Sequence, residues 1–232
     1  MLPIPKLKQI QNFTENNLKI FLSFSAALLL LAAYFIINSP DDYQQGNAVK
    51  IMYIHVPSAW LALLIYSVIA GFSCASFIYK TPLLALSAIS LAPIGCCFAI
   101  LTLVTGSIWG KPIWGTWWVW DARLTSMLVL FFLYVGYIAL YHAYDQQING
   151  SKMAALLAII GFINIPIIKF SVDLWNSLHQ PASIIRSGGM AIVPEMQKPL
   201  FVSFAALCVV SFTIFLLRLN SFLYKIKQFR KR

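Results

Sequence analysis

The sequence contains few charged residues. Only 10% of the 232 residues are charged and only seven are acidic, whereas 60% are hydrophobic. A soluble globule of this length needs far more polar surface, so a water-soluble domain is excluded and lipid is the expected solvent. The net charge of +10 would suggest nucleic acid in a soluble protein. Here we expect no nucleic-acid partner, because basic residues in a membrane protein set its orientation.

Several chemical motifs are also missing. The four cysteines form no CxxC pair and have no neighbouring histidine, so neither a disulfide nor a cysteine-ligated metal is expected. The stretch from Gly106 to Lys111 is one residue short of a phosphate loop, and Pro112 stands where Ser or Thr is required. No catalytic thiol or acid/base pair is evident. We therefore expect the chain not to be an enzyme and not to hydrolyse ATP itself.

Six long apolar stretches are present instead. A helix needs about 20 apolar residues to cross a hydrocarbon core of about 30 Å. The sequence therefore predicts an all-α, polytopic six-helix bundle that forms a single transmembrane domain over residues 1–232. The fifth stretch is short, and we expect it to continue past Lys169, whose side chain can reach the interface. The predicted spans are 18–38, 52–79, 83–107, 124–143, 153–172 and 199–218.

The distribution of charge predicts the orientation of these spans. An even number of spans puts both termini on one side, and the basic residues at both ends mark that side as cytoplasmic. Lys6 and Lys8 lie at one end, and five basic residues lie between Lys225 and Arg232 at the other. On this topology most of the acidic residues fall in outer loops: Asp41, Asp42, Asp121, Asp173 and Glu195.

Tryptophan is concentrated in one place. Five of the seven tryptophans lie within twelve positions, in the outer loop 107–123, which we call the tryptophan-rich segment: Trp109, Trp114, Trp117, Trp118 and Trp120. An interfacial aromatic belt is one explanation. A belt, however, should place tryptophans at both membrane surfaces. Trp60 and Trp175 also fall towards the predicted outer side, so all seven tryptophans are expected on one side. Clustered indoles offer wide π surfaces, so a binding surface for a large, flat, apolar ligand is favoured.

The charged residues of this segment refine the prediction. If residues 113–123 form an interfacial helix, Trp114, Trp117, Trp118 and Asp121 share one side of it. Lys111 and Arg123 flank that side, where they can pair with acidic groups of a ligand. Asp121 has two alternative structural roles, as the cap of span four or as the partner of Arg123.

The three histidines differ in predicted position. His55 lies about one turn into span two from its outer end, His179 lies in the last outer loop, and His142 lies at the inner end of span four. We expect His142 to be an ordinary interfacial residue. Two neutral imidazoles beside an aromatic floor form a site suited to heme iron. Since CxxCH is absent, covalent attachment of heme to this chain is excluded and b-type, non-covalent binding is expected.

Four motifs together resemble the cytochrome c maturation protein C family, also called heme exporter protein C. The tryptophan-rich segment carries the "WWD" motif, which larger relatives that join heme to apocytochrome also contain, but those have many more spans. The other three motifs are Asp42-Tyr-Gln-Gln-Gly-Asn47, Tyr53-Ile-His55-Val-Pro57 and Trp175-Asn-Ser-Leu-His179-Gln180.

The resemblance implies a location in the bacterial inner membrane and a role in assembling c-type cytochromes. It implies that His55 and His179 are the axial ligands and that a periplasmic heme chaperone receives the heme. It also implies an ATPase subunit, a second polytopic subunit and a small single-span protein as partners. The alternative is a permease subunit of an ABC-type complex that moves heme through the bilayer. The implied heme-contacting residues are Trp114, Trp117, Trp118, Trp120, Asp121 and, from its position, Arg123.

Overall fold

Seven α-helices account for most of the described backbone. The computed structural model describes residues 4–144, 147–175, 177–180, 184 and 189–229, and within these it contains no strand. Asn176 of the last motif and residues 230–232 of the basic tail lie outside the described residues. The helices are α1 (Ile4–Ile37), α2 (Met52–Tyr79), α3 (Pro82–Trp114), α4 (Ala122–His142), α5 (Gln147–Gly161), α6 (Asn164–Leu174) and α7 (Pro194–Phe229).

Six stretches of the described chain are long and apolar enough to cross a membrane, which confirms the predicted all-α, six-span fold. The fifth stretch runs from Ile148 to Leu174 and so continues past Lys169, as expected. It is interrupted at residues 162–163, between α5 and α6, because Pro166 in the first turn of α6 cannot donate a backbone hydrogen bond. The side chain of Asn164 anchors this break by donating to the Ser126 carbonyl of α4 at 2.9 Å.

The tryptophan-rich segment is not one interfacial helix, which corrects the arrangement considered for residues 113–123. Helix α3 continues to Trp114, and Gly115 ends it in the left-handed conformation at φ 76°. Residues 115–121 are non-helical, and α4 begins only after Asp121. The tryptophans after the glycine therefore do not share a helix face with Trp114.

The core lies between α2, α3, α4 and α5. At its centre the rings of Tyr66 and Tyr134 meet edge to face with centroids 5.1 Å apart. The Tyr134 hydroxyl donates to the Ala62 carbonyl at 2.7 Å, which satisfies a polar group that lipid could not solvate. Gly95 contacts Tyr134 and Gly161 contacts the Tyr66 hydroxyl, so both positions leave no room for a side chain.

Helix α1 packs at the edge of the bundle against α7. A buried hydrogen bond of 3.0 Å joins the hydroxyls of Ser25 and Thr213 across this pair. The end of α1 and the start of α7 lie at the same end of the bundle as the start of α2, which we call the cavity end. Several basic residues lie at the opposite end, as the positive-inside rule would place them in the cytoplasm: Lys8, Lys80, Lys152, Lys225 and Lys227. The orientation itself remains a prediction.

Candidate ligand-binding site

A cavity of about 590 Å³ opens at the cavity end of the bundle. This volume lies within the range of about 300–1,000 Å³ typical of small-molecule sites. A smaller pocket of about 70 Å³ adjoins it. His55, Trp114, Arg123 and His179 line both. Four segments far apart in sequence therefore converge on one space: the start of α2, the end of α3, the start of α4 and the loop after α6.

Helices α2 and α3 hold His55 in place. Its Nδ1 lies 3.0 Å from the Thr105 hydroxyl oxygen. That hydroxyl donates its single hydrogen to the Leu101 carbonyl at 2.6 Å, so towards His55 it can only accept. We therefore assign the Nδ1–H tautomer to His55, which leaves Nε2 with a free lone pair. Trp109 packs edge to face on the same imidazole, with ring centroids 5.7 Å apart.

Asp121 holds His179, the second histidine of the cavity. Oδ2 of Asp121 accepts hydrogen bonds from His179 Nδ1 at 3.0 Å and from the Ser177 hydroxyl at 2.5 Å. Because a carboxylate only accepts, His179 is also the Nδ1–H tautomer with a free Nε2. The other oxygen, Oδ1, accepts from the Leu124 backbone N–H at 2.7 Å and caps α4, a contact worth about 1 kcal/mol. One side chain thus ties a helix start to a histidine 58 residues away.

This geometry settles the two alternatives for Asp121. The capping role is confirmed by the hydrogen bond to the Leu124 N–H. Among the described residues Asp121 is hydrogen-bonded to His179, whereas the Arg123 Nε donates to the Ser171 hydroxyl at 3.3 Å. Arg123 therefore keeps its guanidinium in the cavity wall, where it can meet an acidic group of a ligand.

Burial and hydrogen bonding set the charges of this loop. Burial lowers the pKa of the His179 imidazole, and the Arg123 charge adds to this effect, although Asp121 opposes it. Burial alone would raise the pKa of Asp121, but hydrogen bonds from Ser177, the Leu124 N–H and His179 lower it overall. The pair consequently combines a carboxylate with a neutral imidazole near neutral pH.

The tryptophans divide into two groups. Trp114 packs on His179 with ring centroids 4.8 Å apart, and Trp118 lines the smaller pocket. Trp117 and Trp120 line neither cavity and are 56% and 77% exposed. Trp120 packs on Trp118 at 5.5 Å between centroids. Two of the four predicted heme-contacting tryptophans therefore line a pocket and two do not, and heme contact stays a prediction for all four.

Three further residues contact the histidines and were absent from the predicted site: Thr105, Trp109 and Ser177. Thr105 and Trp109 are four residues apart on α3, and so present one face to His55. This spacing was visible in the sequence, but nothing there indicated which face of an apolar helix points to His55. Gln45 extends the set, because its side-chain carbonyl accepts from the Trp109 indole N–H at 2.9 Å. His142 ends α4, away from the cavity, in agreement with its expected position.

The rest of the cavity wall is mainly apolar. It comes from α2, α3, α6 and the segment before α7: Met52, Val56, Trp60, Leu63, Ile113, Ile168, Leu178 and Ile192. The described residues contain no group of three or more His, Cys, Asp or Glu side chains that could hold a metal ion. The cavity thus suits a large apolar ligand that accepts two imidazoles.

Comparison with known proteins shows the family of this chain. A family model described as heme exporter protein C matches residues 3–232. Heme exporter protein C of Bradyrhizobium diazoefficiens is 48% identical over 82% of this chain and 72% of its own. The Escherichia coli protein of that name is 45% identical over 79% of this chain and 74% of its own. A Marchantia polymorpha protein, named putative cytochrome c biosynthesis ccmC-like mitochondrial protein, is 47% identical over 81% of this chain and 80% of its own. The chain belongs to the heme exporter protein C family.

Proposed function

We propose that this protein binds heme at the periplasmic face of the bacterial inner membrane and delivers it to a periplasmic heme chaperone during c-type cytochrome biogenesis. In this proposal His55 and His179 are the axial ligands. The observation that carries it is the convergence of two imidazoles on one cavity, both with Nδ1–H engaged and Nε2 free. The names of the relatives, which refer to heme export and cytochrome c biosynthesis, support it.

The donor set suits heme better than a bare metal ion. Two imidazoles are too few for a protein-built metal site, but heme iron already has four porphyrin nitrogens and needs only axial ligands. Trp114 and the apolar wall can cover the macrocycle, and Arg123 can pair with a propionate. The described residues that line the cavity include no cysteine, and non-covalent, b-type binding is part of this proposal.

The permease alternative requires a polar path across the bundle. Two buried hydroxyls of α3 are instead directed at their own helix: Ser90 donates to the Leu86 carbonyl and Thr102 to the Phe98 carbonyl. The core around them consists mainly of hydrophobic side chains, and the Tyr134 hydroxyl at its centre is bonded to the Ala62 carbonyl. This arrangement supports presentation of heme at one face over passage through this subunit.

Histidine substitutions read by visible absorption test the proposed function. His55→Ala and His179→Ala should each change the spectrum of the purified protein and stop cytochrome maturation. His142→Ala is the matched control, because it removes a histidine at the far end of α4 and should leave heme content unchanged. Protein abundance is measured alongside, since a misfolded bundle would also lose heme. An equal loss from all three variants at normal abundance would refute the assignment.

The predicted partners follow from family membership and belong to the same proposal. They are the chaperone, an ATPase subunit, a second polytopic subunit and a small single-span protein. Co-purification with an affinity-tagged chain tests all four at once. The chaperone should be captured only while heme is available, because heme joins the two proteins. Capture that is equally strong without heme would contradict delivery as the basis of the contact.

A further inference from the structure

The two histidines of the cavity differ in the group that accepts their Nδ1–H. His179 donates to the Asp121 carboxylate, which carries a full negative charge and is only 8% exposed. The partners of His55 are neutral: the Thr105 hydroxyl, which already donates to the Leu101 carbonyl, and the Thr102 backbone carbonyl. Hydrogen bonds to an ionised partner are roughly twice as strong as neutral ones. A carboxylate behind an imidazole also raises its basicity as a ligand.

We propose, on the basis of the proposed function, that the two histidines bind heme iron with unequal strength. Asp121 makes His179 the stronger electron donor. Thr105 leaves His55 the weaker and more readily exchanged ligand. Asp121 and Ser177 act here as positioning residues, through His179. Exchange at the weaker position breaks the iron bond to the His55 Nε2 and forms one to the incoming donor atom, without a change of oxidation state.

Packing around each ring agrees with this division. Ser177 donates to Asp121 at 2.5 Å and accepts from the His179 backbone N–H at 3.1 Å, so the carboxylate and the imidazole are held as one unit. Oδ1 of Asp121 is fixed separately by the start of α4. His55 has no comparable anionic partner among the described residues. An incoming ligand would therefore replace an imidazole that is supported by neutral hydrogen bonding at His55 and by a charged hydrogen bond at His179.

Exogenous imidazole measures the difference directly. His179→Gly and His55→Gly each leave an axial position that added imidazole can fill, and its N–H then meets Asp121 or Thr105 respectively. 1-Methylimidazole binds iron equally well but has no N–H to donate. In heme-loaded His179→Gly the methyl derivative should bind about 10- to 100-fold more weakly than imidazole. In His55→Gly the penalty should be only about two- to tenfold.

Second variants separate hydrogen bonding from simple crowding by the methyl group. Asp121→Asn in the His179→Gly background should reduce the penalty to the size seen in His55→Gly, while its side-chain oxygen still caps α4. Equal penalties in the two single variants, a larger one in His55→Gly, or an unchanged penalty after Asp121→Asn would each overturn the inference. Variants that are made at normal abundance but never take up heme, with or without imidazole, would overturn the proposed function and this inference with it.

A measurement on the intact ligand pair guards against a cavity variant that fails to fold. Loss of a strong donor destabilises the ferric state, so Asp121→Asn should raise the reduction potential of the bound heme. Thr105→Val removes the hydroxyl acceptor at nearly the same volume and leaves the neutral Thr102 carbonyl, so it should shift the potential less. A larger shift from Thr105→Val than from Asp121→Asn would refute the proposed inequality.

Discussion

Gly106 offers the sharpest single-residue test of how His55 is held. A Cβ atom at this position would lie 2.9 Å from Cε1 of His55 and 3.4 Å from its Nδ1. Non-bonded carbons prefer about 3.5–4.0 Å, so in Gly106→Ala the ring must retreat by roughly 0.6–1 Å. The hydrogen bond to Thr105 is 3.0 Å long, and a retreat of this size carries it beyond the usual limit of about 3.2 Å.

The substitution should weaken heme binding without weakening the helix. Alanine is favoured over glycine inside a helix by about 0.5–1 kcal/mol, so protein abundance should not fall. The bond that is lost is the neutral one between His55 and Thr105, so heme binding should weaken by about two- to tenfold. Titration of the purified variant with heme, followed by visible absorption, should show a weakening in this range and an altered spectrum.

Gly71 supplies the matched control. It lies inside α2, the helix that carries His55, and a Cβ there would meet nothing within 4 Å. Gly71→Ala is thus the same change in a spanning helix without the contact, and its heme affinity should equal that of the unsubstituted protein. A Gly106→Ala protein with normal abundance, affinity and spectrum would show that His55 is not held as argued here.

Three further predictions follow from the site. Trp114→Ala should lower heme affinity more than Trp117→Ala, because only Trp114 lines the cavity; equal effects in a heme titration would restore the belt explanation. Since burial lowers the pKa of His179 below the ordinary 6.5, its imidazole stays neutral as the pH falls through that value, so acid release of heme should begin below pH 6.5, and release above it would contradict the site. Reporter fusions at Thr116 and at the C-terminus should report opposite sides of the membrane, and same-side activity would refute the topology.

Much of the fold was predictable because it depends on local properties. Bilayer thickness sets the length of an apolar run, so the spans could be counted without tertiary information. The boundaries were harder. The end of α3 was expected near residue 107, but Trp114 still continues the helix, since amphipathic residues are tolerated at an interface and only Gly115 stops the turn.

The site was predictable in its parts but not in its contacts. His55 and His179 could be chosen as candidate ligands because the topology predicted from an even number of spans places both on the same side as the tryptophans. Their hydrogen-bond partners could not, because apolar helices have no polar stripe to reveal which face meets which neighbour. Thr105 looked like any other small residue of a spanning helix, and Ser177 like any loop serine.

The sequence by itself determined that lipid surrounds this protein, how many spans it has and which residue types are available for its site. Hydropathy and side-chain chemistry are properties of single positions and short stretches, so they need no tertiary information. Only the tertiary structure decided the rotation of each helix and the path of the loops. Those depend on packing between segments 50 to 58 residues apart, such as His55 with Thr105 and Asp121 with His179. That packing selects Trp114 and Trp118 for the cavity, leaves Trp117 and Trp120 exposed, and places a carboxylate behind one histidine and a hydroxyl behind the other.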